Sequence, residues 1–181
     1  FRKNRTNMCN FAASPKFKSY EKAWEECFEK VLPKLGVIGN SKKLSRKCVI
    51  NMSKNIAYKD TPEYLKKLSN YCKIGVISNA DNDFLYPVLE KIEFEFDYIL
   101  SSETAKCYKP DPTIFKQLLV NYDLDPSKCW YVGDKEFDDV LGSSSVGMEP
   151  FLINRSVYND IYEEKKITCI SNLTQLYELI K

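Results

Sequence analysis

Three groups of residues in this chain have the types and the placement needed to handle a phosphate ester. Ser78-Asn79 ends the apolar run Lys73-Ile74-Gly75-Val76-Ile77. Lys109 follows Tyr108 and opens Lys109-Pro110-Asp111-Pro112. Gly133-Asp134 ends a second apolar run and is followed by Asp138 and Asp139. Phosphoryl transfer asks for charge stabilisation on the equatorial oxygens and for a metal held by carboxylates. A hydroxyl and an amide can donate to phosphate oxygens, and an ammonium can neutralise both the phosphate and a carboxylate nucleophile. The acids after Gly133 can hold Mg²⁺, which prefers hard oxygen ligands. Gly133 lets the backbone turn tightly beside such an ion.

Other chemistries are excluded by composition. The chain has no histidine, so no Ser-His or Cys-His pair can be built. Its seven cysteines are an odd number, scattered, with no Cys-x-x-Cys pair. Zinc sites and a disulfide framework are therefore not expected, and the thiols read as small hydrophobes in a reducing, cytoplasmic setting. A formal net charge of +2 gives no nucleic-acid surface. No apolar run reaches the ~18 residues that span a bilayer, so no membrane partner is expected. The remaining partner is a small phosphorylated molecule, and oligomeric state has no signature here.

The elements that must carry these residues follow from periodicity. Residues 1–14 are polar and basic, without period, and read as a loop or frayed start. From Ser19 to Leu35 a helical pattern puts Tyr20, Ala23, Trp24, Cys27, Phe28 and Val31 on one face. Ser41 reads as the cap of a second helix with Leu44, Cys48, Val49 and Met52 inward. Thr61-Pro62-Glu63 reads as a hydroxyl cap followed by proline at the first position. From residue 73 onward, apolar strands near 73–79, 97–102, 129–134 and 150–154 alternate with helical patterns, and a last strand and helix follow from Ile167. Strands that are apolar throughout and alternate with helices imply an α/β fold with a doubly wound parallel sheet. Its ligands belong at the carboxyl ends of the strands, where Ser78, Asn79 and Asp134 fall. The chain so divides into an all-helical piece, residues 15–58, and an α/β core, residues 59–181.

Together these motifs resemble the haloacid dehalogenase superfamily. Gly75-Val76-Ile77-Ser78-Asn79 is similar to its second motif, a Ser or Thr ending a hydrophobic strand. Lys109-Pro110-Asp111-Pro112-Thr113-Ile114-Phe115 is similar to its third. Val132-Gly133-Asp134-Lys135-Glu136-Phe137-Asp138-Asp139 is similar to its fourth, and Gly142-Ser143-Ser144 and Val146-Gly147-Met148 resemble the usual continuation. The resemblance covers residues 60–181. It implies a Rossmann-like core with a helical cap of the first type, Mg²⁺ as cofactor, and hydrolysis of a phosphate monoester through an aspartyl-phosphate. It implies Ser78 and Lys109 as catalytic groups, Ser78, Asn79 and Lys109 on the substrate, and Asp134 with Asp139 on the metal; the motif's spacing points to Asp139 rather than Asp138.

The family's first motif, Asp-x-Asp, which supplies nucleophile and acid/base, has no match in place. Asp81-Asn82-Asp83 follows the second motif directly, and Asp123-Leu124-Asp125 lies in a helix-to-strand turn. The expectation is an upstream segment that carries the motif on a strand lying between those ending at Ser78 and Asp134. A metal-free dehalogenase and a non-catalytic binding protein of the same fold are the rival expectations.

Overall fold

The computed structural model describes residues 17–155 and 167–181. The loop expected at residues 1–14 lies outside them. The first two helical patterns fold as α1 (Tyr20–Lys34) and α2 (Ser41–Met52). Ser19 caps α1 by accepting from the Lys22 amide. Asn40, not Ser41, caps α2, its side chain accepting from the Lys43 amide at 2.8 Å. Asn and Ser are near-equal caps, and the extended backbone at Asn40 decides between them. Val49 is buried as expected, and Ser45 joins it on the buried face, but Met52, also expected inward, is 39% exposed. That face turns toward the α/β core, while Met52 lies in the last turn beyond it.

The core elements follow. They are α3 (Thr61–Leu68), β1 (Gly75–Ser78), α4 (Asn82–Glu90), β2 (Tyr98–Ser101), α5 (Ser102–Ala105) and α6 (Pro112–Asn121). A 3₁₀ turn at Pro126–Lys128 leads into β3 (Trp130–Gly133), a π-helical turn at Glu136–Leu141 and α7 (Gly142–Ser144). The chain ends with β4 (Glu149–Ile153), β5 (Thr168–Ile170) and α8 (Leu173–Ile180). At α3 the cap position is Asp60 rather than Thr61, and its carboxylate serves elsewhere: it accepts two bonds from Arg155 and one from the Leu173 amide. The helical pattern after β3 folds as a π turn followed by a short α-helical turn, because the Asp139 and Val140 amides both donate to the Lys135 carbonyl.

All pairings among the described strands are parallel, but they form two sheets. One is β1–β2, with Ser78 opposite Ser101; the other runs β3–β4–β5. Strand faces alternate as a pleat requires. Ile77 and Tyr131 pack with Ile114, Phe115, Leu118 and Leu119 of α6 on one side. On the other side Val76 joins Phe84, Leu85 and Leu89 of α4, and Val132 joins Leu68 of α3 and Leu176 of α8. Helices thus cover both faces, the doubly wound arrangement expected. Phe115 and Ile114 are wholly buried, each stabilising the fold by roughly 1.5–3 kcal/mol. The helical pair packs on α4: Tyr20, Trp24 and Ala57 join the cluster of Val49, Phe84 and Leu85.

Candidate active site at the strand ends

Ser78 is the last residue of β1 and is half-buried. The next residue, Asn79, faces the Lys109 loop. Its Oδ1 accepts from the Lys109 amide at 2.7 Å, and its Nδ2 donates to the Lys109 carbonyl at 3.0 Å. The amide expected on substrate therefore clamps the lysine's own peptide. On the far side of that lysine, Asp111 caps α6 by accepting from the Thr113 amide, and Pro112 occupies the first helical position. The Lys-Pro-Asp-Pro sequence is thereby a loop pinned at both ends, from which one ammonium projects inward.

That ammonium meets Asp139. Lys109 Nζ lies 2.5 Å from Asp139 Oδ1, and the two side chains are 11% and 5% exposed. Nζ also donates to the Tyr131 hydroxyl at 2.9 Å. Burial works against the charge on Lys109, but the Tyr131 and Asp139 oxygens outweigh it and hold the lysine above its ordinary pKa. Burial also raises the Tyr131 phenol, to about 12, so it is a neutral hydroxyl at physiological pH. Asp139 Oδ2 accepts from the Lys135 amide at 3.0 Å. Gly133 makes room for this carboxylate: a Cβ there would fall 2.3 Å from Asp139 Cγ.

Asp134 stands apart from this pair. Its side chain is 64% exposed, at the end of β3, and its Oδ2 takes a 2.6 Å bond from Lys135 Nζ. The structure so brings Asn79, Lys109 and Asp139 into direct contact, with Ser78 next to Asn79 at the same edge. Asp134 lies beyond, facing solvent. A Mg²⁺ ion commonly takes one or two carboxylates and completes its shell with water and phosphate oxygens. Asp134 fits that requirement as an exposed hard-oxygen donor. Asp139 does not, since both its oxygens already hold protein donors, and no group of three acidic, Cys or His ligands occurs among the described residues.

The two discarded Asp-x-Asp pairs have structural duties. Asp81 is buried, and its oxygens accept from the Tyr20 and Glu21 amides at 2.8 Å each, fixing the start of α1 to the core. Burial raises its pKa, against the pull of those two N–H groups. Asp125 accepts from the Ser127 amide in the turn before β3. Tyr108, next to Lys109, ties the site to the helical pair: its hydroxyl donates to the Lys18 carbonyl, and its ring meets Tyr20 edge-on. Tyr131 was not legible as a site residue. Its one signal is period two along β3, which puts it on the face of Gly133.

The chain is 32% identical over 117 residues to mouse haloacid dehalogenase-like hydrolase domain-containing protein 3, covering 60% of this chain and 46% of that protein. It is 26% identical over 112 residues to a glyceraldehyde 3-phosphate phosphatase of Pyrococcus furiosus, covering 59% and 47%. Among solved structures, the L-2-haloacid dehalogenase of Xanthobacter autotrophicus superposes with a TM-score of 0.79 at 16% identity, covering 99% of this chain and 82% of that one. At that identity the likeness shows the fold. The chain spans between 33% and 58% of the length of these curated relatives. Residues 14–153 match the haloacid dehalogenase-like hydrolase family, and the chain belongs to it.

Proposed function

We infer that the protein is a phosphatase acting on a small phosphorylated metabolite, with Mg²⁺ bound at Asp134. The observation that carries this reading is the charged, buried Lys109 at the carboxyl edge of β1 and β3, with an exposed carboxylate at the end of β3. A fixed ammonium in a poorly hydrated site stabilises phosphoryl oxygens far better than one in water. Ser78 donates its hydroxyl to a phosphate oxygen. Asn79 holds the Lys109 peptide, and Asp139 aims the ammonium. Mg²⁺, when bound, supplies charge neutralisation that lets an anionic nucleophile approach. This reading gives the nucleophile's role to an aspartate of the Asp-x-Asp motif, which forms an aspartyl-phosphate that water then cleaves. The helical pair α1 and α2 acts as a cap that excludes water. The relationship to glyceraldehyde 3-phosphate phosphatases supports a small phosphate monoester as substrate.

The test is hydrolysis of p-nitrophenyl phosphate by the protein, with Mg²⁺ and with chelator, and in Asp134→Ala. Activity that survives both chelation and the substitution refutes the metal's role. A metal-free dehalogenase is the second reading. It is favoured by the engagement of both Asp139 oxygens with protein donors and by 28% identity over 128 residues to an (S)-2-haloacid dehalogenase of Burkholderia cepacia. Halide release from a 2-haloacid in the presence of chelator, without phosphate hydrolysis, would select it.

A further inference from the structure

Tyr131 occupies a position in this site that the family's motifs do not assign. Its ring packs edge-to-face on Phe115, with centroids 5.2 Å apart. Its hydroxyl sits where three groups converge. Lys109 Nζ lies at 2.9 Å, Asp139 Oδ1 at 3.3 Å and the Ile77 carbonyl at 3.2 Å. A phenol has one proton and two lone pairs. One lone pair accepts a hydrogen bond from the ammonium, and the hydroxyl in turn donates to the Ile77 carbonyl or the Asp139 carboxylate. A lysine ammonium is a compact charge on a flexible four-carbon stem. One contact with Asp139 sets its distance from that carboxylate but leaves its direction open. The second contact closes that freedom, and it does so from a hydroxyl anchored on β1, one residue before Ser78.

We propose that Tyr131 is a positioning residue that holds the Lys109 ammonium in register with the end of β1. Its neutral state, maintained by burial, suits a group that must donate to a carbonyl while accepting from an ammonium. The catalytic consequence rests on the phosphatase reading; the positioning itself is a property of this chain alone.

Tyr131→Phe keeps the ring and its contact with Phe115 and removes only the hydroxyl. In ¹⁵N-lysine-labelled full chain, the Lys109 ammonium resonance is identified by its loss in Lys109→Met. In Tyr131→Phe this resonance shifts, and its hydrogen exchange speeds by about tenfold, the scale of one lost hydrogen bond to a charged group. In the intact gene product, kcat for p-nitrophenyl phosphate falls by about tenfold with KM changed less than about twofold, the pattern of a group that acts in the transition state. A Lys109 resonance with unaltered shift and exchange overturns the proposal, whatever happens to activity. A lowered unfolding temperature with that resonance unaltered assigns Tyr131 to packing alone and also overturns it. An altered resonance in a protein that hydrolyses no phosphate ester refutes the phosphatase reading and leaves the positioning supported.

Discussion

Lys109→Met isolates the electrostatics on which the site depends. Lys109 Nζ and Asp139 Oδ1 are 2.5 Å apart, and both side chains are nearly inaccessible. At an effective dielectric of about 20, two unit charges at that distance attract by about 7 kcal/mol. Most of this offsets the loss of hydration, which costs several kcal/mol for each ion. The single substitution forfeits the attraction but leaves Asp139 buried, with only the Lys135 amide and the Tyr131 hydroxyl as donors. The expected loss of stability is about 3–5 kcal/mol. Asp139→Asn strands the ammonium in the same way and should cost a similar amount. Lys109→Met with Asp139→Asn removes both charges, and should recover at least about 2 kcal/mol of the summed single losses, since neither ion is left unpaired. Urea unfolding followed by the fluorescence of Trp24 and Trp130 measures all four proteins of the cycle. Additivity of the two single effects to within about 0.5 kcal/mol would show that the pair is not coupled, and would refute the account of the site given above.

Gly133→Ala places a methyl 2.3 Å from Asp139 Cγ, well inside contact distance, so the carboxylate must move and release Lys109. On the phosphatase reading, p-nitrophenyl phosphate hydrolysis should fall by at least about tenfold, with a stability loss of about 1–3 kcal/mol from overpacking, read by kinetics and urea unfolding. Phe115→Ala, at a wholly buried position, should cost about 3–5 kcal/mol in the same unfolding assay. Asp60 is raised by burial, but Arg155 and the Leu173 amide more than compensate and hold it below the usual carboxylate value. A depressed folded pKa gives stability that is present above the unfolded value of about 3.9 and is lost as pH falls through the folded one. Asp60→Asn should therefore be less stable than wild type at pH 7 but lose less on acidification below about pH 4, as thermal melts across pH would show.

Much of this molecule is written locally. The strands at Val76, Ile99 and Val132 are short apolar runs, and a run that is apolar at every position is stable only between two helical layers. The α/β class, the helical patterns and the strand-end placement of Ser78 and Gly133-Asp134 therefore follow from residue types and spacing. Pro112 after Asp111 announces a helix start because the missing N–H is unneeded there. What local pattern does not contain is which polar group meets which. Asn79 could as well face a ligand as the Lys109 peptide, and Asp139 could as well face an ion as an ammonium. Asp81 has the same spacing to Asp83 as a catalytic pair would, yet it fastens α1. The choice between Asn40 and Ser41 as cap, and the division into two sheets, belong to the same class. Each of these pairings joins residues 30 to 61 positions apart, or depends on how neighbouring elements pack. Their energies are set by distance and burial, which exist only once the chain has folded.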